Sequence, residues 1–144
     1  MRINDVLKGK PSQEVVTISP DASVRELLSL LSEHNVGALI VSSDGATVEG
    51  IVSERDIVRN LQADEGMLDG QVSAIMTSSV QTCEGTDPVT DLMQMMTEHR
   101  IRHVPVLTDG KLSGIISIGD VVKHRIGELE FERDQLDHYV HQTK

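Results

Sequence analysis

The sequence predicts an α/β (α+β) fold built from two pseudo-symmetric β-α-β-β-α repeats and closed by a long C-terminal helix. Three observations predict it. The 144-residue chain states one pattern twice, about 65 residues apart. Within each copy, short β-branched runs alternate with apolar stripes of helical period. Beyond the second copy, apolar residues recur at heptad spacing. In the first copy Val15-Val16-Thr17 leads through Val24, Leu27, Glu33-His34 and Val41 to Asp44-Gly45, then to Gly50-Ile51-Val52-Ser53-Glu54-Arg55-Asp56. In the second, Val80-Gln81-Thr82 leads through Val89, Leu92, Glu98-His99 and Val106 to Asp109-Gly110, then to Gly114-Ile115-Ile116-Ser117-Ile118-Gly119-Asp120. The offset is 65 up to Asp-Gly and 64 after it, because the first hairpin loop is one residue longer. Polar residues repeated in register imply two similar half-sites on one pseudo-symmetric body.

Each element has its own signal. Val15 to Ile18 and Val80 to Cys83 read as short strands. Asp21 and Thr86 are the expected N-caps of the helices that follow, with Pro88 in the first turn of the second copy. Val24, Leu27, Leu28 and Leu31 form one apolar stripe, and Val89, Leu92, Met93 and Met96 its counterpart. Ala38 to Val41 and His103 to Leu107 are short apolar runs of buried-strand type. Asp-Gly then turns the chain into Val48 to Ser53 and Leu112 to Ser117. A second helix starts near Glu54 or Gly119. The expected units are a first repeat with its N-terminal segment over 1–62, a connector over 63–79, a second repeat over 80–125 and a helix over 126–144.

Composition bounds the class. At 144 residues each repeat alone is marginal, so the copies are expected to share a core. The lone Cys83 excludes an internal disulfide and suits a reducing cytoplasm. No basic-then-apolar leader opens the chain, and no apolar run approaches spanning length. A net charge of −10 argues against nucleic acid or an anionic membrane surface as partner. The only aromatics, Phe131 and Tyr139, lie in the tail, which again disfavours single-stranded nucleic acid. A nucleobase bound within the repeats would lie between aliphatic side chains and pair with backbone groups.

Ser53-x-x-Asp56 and Ser117-x-x-Asp120 sit where a strand ends and a helix begins. The spacing suits a capping box, in which Ser accepts from the third residue's N–H and the acid reaches back. It equally suits a ligand site: a helix N-terminus favours phosphate, and an ionised carboxylate can accept from both hydroxyls of a ribose. Capping and binding are compatible. The 6 His and 1 Cys do not make a metal site, because His99 and His103 straddle a helix end and a strand start. Cys83 has no partner that suggests a nucleophile. With neither a nucleophile–base pair nor a metal set, catalysis is not expected.

Taken in order and twice over, Gly50-Ile-Val-Ser-Glu-Arg-Asp56, Gly114-Ile-Ile-Ser-Ile-Gly-Asp120, His103-Val-Pro-Val106 and Ala74-Ile-Met-Thr77 resemble a tandem pair of CBS (cystathionine-β-synthase-type) domains, a Bateman module. The likeness covers roughly residues 1–125 and is nearest to the small stand-alone bacterial type. It implies repeats packed sheet to sheet, a regulatory role without a catalytic cofactor, and adenosyl ligands (AMP, ADP, ATP, NAD(H) or S-adenosylmethionine) in clefts between the repeats. Carried onto this chain, it implies that Asp56 and Asp120 bind ribose, with Ser53 and Ser117 near ribose or phosphate. Thr17 and Thr82, ordinary strand residues by propensity, become contacts for adenine or phosphate. Arg102 and His103, whose counterparts are Gly37 and Ala38, become candidates for phosphate recognition together with Arg55 and Arg100. Pro105 leaves main-chain groups free for a base.

Val122, Ile126, Leu129, Arg133, Leu136 and Val140 recur at spacings of four and three with one polar interruption. They fit an amphipathic helix on its own module or a seam with a second subunit. The second is preferred, because the helix outruns the domain and Bateman modules commonly dimerise. Two functions follow: a sensor that passes ligand occupancy to a regulated protein, or a dimerisation scaffold with no functional ligand. The two intact Ser-x-x-Asp sets favour the sensor.

Overall fold

A computed structural model describes residues 1–10 and 15–142. The elements run α1 (Ile3–Lys8), β1 (Thr17–Ile18), α2 (Val24–His34), β2 (Ala38–Val41), β3 (Gly50–Ser53), α3 (Glu54–Ala63), two 3₁₀ turns (Glu65–Asp69 and Val72–Ala74), β4 (Cys83–Glu84), α4 (Val89–His99), β5 (His103–Thr108), β6 (Lys111–Ser117) and α5 (Ile118–Gln142). Each half forms a three-stranded sheet, β1-β2-β3 and β4-β5-β6, with the first pair parallel and the second antiparallel. The β-α-β-β-α repeat is therefore present twice.

Local chemistry moves several boundaries. The sequence places the N-caps at Asp21 and Thr86; instead Ser23 Oγ accepts from Glu26 N–H at 3.1 Å, and α4 follows Pro88 with no side-chain cap. The helices start late because the chain ahead of them is held extended. Pro20 O and Ala22 O accept from Ser73 N–H and Val72 N–H, and Asp87 O accepts from Ile3 N–H. The first strands are also shorter than expected, losing Val15-Val16 in one copy and Val80 to Thr82 in the other. In register, Cys83 faces Val106, so Thr82 faces Pro105, which has no N–H to donate. The hairpins turn at Asp-Gly as expected. Asp109 and Gly110 have φ of 53° and 80°, the left-handed pair of a tight two-residue turn. The longer first loop is tied by Asp44, whose carboxylate accepts from Ala46 N–H, Thr47 N–H and the Thr47 hydroxyl at 2.7–3.0 Å.

The copies do not share one core. Ile18, Val24, Leu27, Leu31, Leu39, Val41, Val52 and Ile57 cluster in the first half; Cys83, Val89, Leu92, Met96, Val104, Val106, Ile116 and Val121 cluster in the second. Each cluster is completed from outside its repeat. Met67 and Val72 of the connector join the first, whereas Ile3 and Val6 of α1, at the far end of the chain, join the second. The backbone repeats the arrangement bond for bond. Asn4 N–H donates to Gly85 O at 2.9 Å as Ser73 N–H does to Pro20 O at 3.0 Å, and Val89 N–H donates to Met1 O at 3.1 Å as Val24 N–H does to Gly70 O at 3.0 Å. The N-terminal segment, adjacent to the first repeat in sequence, thus belongs spatially to the second half.

Strand alternation divides the sheet faces. Leu39, Val41, Val104 and Val106 point into the two cores. Ala38, Ile40, Ser53, His103, Pro105 and Ser117 lie on the opposite face, where the sheets pack together. Ile40 is 0% exposed although it belongs to neither cluster, and Pro105 is fully buried. A hydrogen bond from Leu112 N–H to Ala46 O, 2.8 Å, ties the two hairpins across that interface. α5 is one continuous helix of 25 residues through position 125/126, where the sequence divides repeat from tail. Thr143 and Lys144 of the expected tail lie outside the described residues.

Candidate ligand clefts between the sheets

Packing two such sheets face to face leaves a cleft at each end of the interface, and the Ser-x-x-Asp sets stand at both. β3 ends at Ser53 and α3 begins at Glu54. Ser53 N–H and the Ser53 hydroxyl both donate to Asp56 Oδ2, at 2.9 and 3.1 Å, and Asp56 N–H returns a bond to Ser53 Oγ at 3.4 Å. β6 and α5 meet in the same way. Ser117 N–H donates to Asp120 Oδ2 at 2.9 Å, and Asp120 N–H donates to Ser117 Oγ at 3.1 Å. Both motifs are therefore capping boxes. The cap uses one carboxylate oxygen, Oδ2, and Asp56 Oδ1 makes no hydrogen bond among the described residues. Capping leaves the second oxygen of Asp56 as a spare acceptor.

Ser53, Arg55, Asp56, Arg102 and His103 converge on a cavity of about 310 Å³, with Arg100. Ser117, Asp120 and again His103 line a second of about 540 Å³. Each cavity is composite: the capping motif of one half faces the helix–strand loop of the other. Ile51, Val80 and Ile101 give the first its apolar walls, and Val16, Leu39 and Ile115 the second. Thr17, Thr82 and Pro105 line neither; their place is taken by Val16 and by Val80-Gln81, just before the short first strands.

Other lining residues escape the sequence reading. Arg59 lies one helical turn beyond Arg55 on α3, a spacing visible in sequence. Lys10 was legible only through the exchange of α1 between halves. Its ammonium lies 3.1 Å from Asp120 Oδ2 and donates to Ile115 O at 2.9 Å. Burial would raise the Asp120 carboxyl, but the Ser117 N–H, Lys10 and the Ser117 hydroxyl outweigh it and hold it below the ordinary carboxylate range. His103 stands between the cavities, and a Cβ built on Gly37 would meet its Cε1 at 3.8 Å. Burial holds its imidazole below the usual range against the opposing pull of Asp120 and Glu54. Cys83 is buried on the far face, its thiol pushed up to about 12 by burial and the nearby Asp87 and Glu84. Among the described residues no group of three or more His, Cys, Asp or Glu is placed so that it could hold a metal ion, and no helix is long and apolar enough to cross a membrane.

Two sheets, two capped helix starts and two composite clefts define a tandem domain pair, and comparison with known proteins names the class. The CBS domain model matches residues 3–63 and 72–127, so the chain belongs to the CBS domain family. Both matches begin at the segments that complete the opposite or preceding core, Ile3 and Val72. The chain is 34% identical over 146 residues to the mitochondrial CBS domain-containing protein CBSX3 of Arabidopsis thaliana, covering 96% of this chain and 71% of that one. Among solved structures it is similar to a CBS-domain containing protein of Agrobacterium tumefaciens, with 42% identity and a TM-score of 0.82 over 87% of this chain and 99% of that one. The CBS domain pair of protein MJ0100, solved in complex with 5′-methylthioadenosine and S-adenosyl-L-methionine, matches at 25% identity and a TM-score of 0.76, covering 85% and 98%.

Proposed function

We propose that this protein is a regulatory module that binds adenosyl ligands in the clefts between its CBS repeats and passes their occupancy to a protein partner. The observation that carries it is the pair of carboxylates, Asp56 and Asp120, each fixed by a Ser at a helix N-terminus on the wall of a cavity. A carboxylate held in that way accepts from a ribose diol, while the helix start favours nearby phosphate. Aliphatic walls accommodate a base where no aromatic side chain is available. The complex of the related MJ0100 pair with two adenosyl compounds supports the same ligand class. AMP, ADP, ATP, NAD(H) and S-adenosylmethionine are the candidates, with Ser53, Arg55, Asp56, Arg102 and His103 contacting one ligand and Ser117 and Asp120 the other. The working form is a homodimer joined through α5, and the cytoplasm is the compartment that suits its single buried thiol.

A thermal-shift series tests the proposal. At a hundredfold excess over its dissociation constant, a true ligand stabilises the fold by about 2.7 kcal/mol, several degrees of melting temperature for a chain of this size. If none of the candidates moves the melt at millimolar concentration, the protein is a dimerisation scaffold instead.

A further inference from the structure

The two cavities are built alike and charged differently. Into the first, α3 sends Arg55 and Arg59, and the loop from α4 to β5 sends Arg100 and Arg102. The repeat places Gly119, Lys123, Asn35 and Gly37 at the matching positions of the other half. Of these, Lys123 lines no part of the second cavity. That cavity has one Lys or Arg, Lys10, and it is already neutralised by Asp120 at 3.1 Å. None of the four arginines forms an ion pair among the described residues. Glu54 and Asp56 offset only part of their charge. In a chain of net charge −10, such a net positive cluster is a strong local field.

Arg100 adds a conformational argument. It closes α4 in the left-handed region with φ 53° and ψ 44°, the role played in the first repeat by Asn35 with φ 51° and ψ 50°. Asn tolerates that conformation, whereas a long side chain is held there at a backbone cost. Position 100 thus carries a guanidinium where the counterpart has the residue the backbone prefers, and strain of this kind points towards function.

We infer that the first cavity takes an adenosyl ligand bearing a chain of two or more phosphates, whereas the second takes an adenosyl ligand without one. The inference rests on the adenosyl reading of the clefts. Guanidinium groups grip phosphate oxygens bidentately, and four of them with no ion pair among the described residues match a polyphosphate. A phosphate chain in the second cavity would have to take Lys10 from Asp120 and would leave that carboxylate beside a like charge.

Calorimetry on the intact chain with ADP, adenosine, 5′-methylthioadenosine and inorganic tripolyphosphate separates the cases. ADP should fill one site per chain at least about tenfold more tightly than adenosine, with an affinity that falls as KCl rises. Tripolyphosphate should compete with it. In the variant Arg100→Asn/Arg102→Gln that tenfold advantage and tripolyphosphate binding should disappear, while 5′-methylthioadenosine binds as before. Asn suits the left-handed position, and a melting curve confirms that the variant folds. ADP no tighter than adenosine, with 5′-methylthioadenosine still bound, overturns the phosphate assignment and leaves the adenosyl clefts standing. Undiminished ADP affinity in the variant overturns it as well. Tripolyphosphate bound when no adenosyl compound binds supports the arginine cavity as a polyphosphate site and overturns the adenosyl reading. If neither ADP nor tripolyphosphate binds, the inference fails.

Discussion

Asp56 and Asp120 each serve two tasks with one carboxylate. Oδ2 closes the cap at 2.9 Å from the Ser N–H, and each Asp also lines a cleft. Asp→Asn keeps the shape and one acceptor but removes the charge that strengthens bonds from two hydroxyl donors. Such bonds contribute about 1.5–3 kcal/mol, so affinity at the altered cleft should fall roughly ten- to a hundredfold in a calorimetric titration. A carboxylate that only caps would instead lose folding stability with affinity untouched. The two substitutions should differ, because Asp120 is paired with Lys10 and Asp56 has no ion-pair partner among the described residues. Asp120 also links stability to pH. Its folded carboxyl is depressed from an ordinary value of 3.8, so the stability it contributes is present above that pH and is lost as pH falls below it. Acid unfolding of Asp120→Asn should therefore be less steep than that of the parent below about pH 4.

At the scale of elements, the equivalent glycines Gly50 and Gly114 show how the preceding segments clamp the sheets. A Cβ on Gly50 would fall 2.7 Å from Met76 Sδ and 2.9 Å from the Thr77 carbonyl oxygen. The latter is backbone, held because Thr77 N–H donates to Ile51 O at 2.9 Å and Ile51 N–H donates to Thr77 O at 3.0 Å. On Gly114 the nearest atom is Leu7 Cδ1 at 3.3 Å, the end of a flexible side chain. Gly50→Ala should therefore destabilise by about 1–3 kcal/mol, and Gly114→Ala by clearly less. Denaturant midpoints at unchanged slope measure both. Equal costs would show that the Thr77 pairing yields as easily as a leucine methyl.

At the scale of the whole molecule, α5 runs on beyond both core clusters with its C-terminal half largely exposed. Val121 is the last residue of α5 in a core cluster. Beyond it Ile126, Leu129, Leu136 and Val140 are each about half exposed or more, at 51%, 49%, 65% and 49%. A heptad seam exposed over about four turns is what a second copy would cover. Truncation after Lys123 should lower the mass seen by light scattering without destroying the fold, since both core clusters end before the cut. Leu129→Glu/Leu136→Glu should do the same with the chain length kept. A dimer of unchanged mass in both would place the subunit interface on the repeats.

Periodicity and polar register were enough to determine the duplicated β-α-β-β-α unit, the Asp-Gly turns and the two Ser-x-x-Asp helix starts. Those features depend on neighbours a few residues apart, so their chemistry is written locally. Arg102 and His103 were legible because the repeat itself exposes where the halves differ. The exchange of α1 and the connector, the neutralisation of Asp120 by Lys10 and the placing of Val16 and Val80-Gln81 along the two cavities were decided only by tertiary structure. Each depends on which surface the chain meets after a long excursion. That choice is made by apolar burial across the assembled halves, where Ile3 and Val6 find a second-half core more than 75 residues downstream, and no local pattern encodes it.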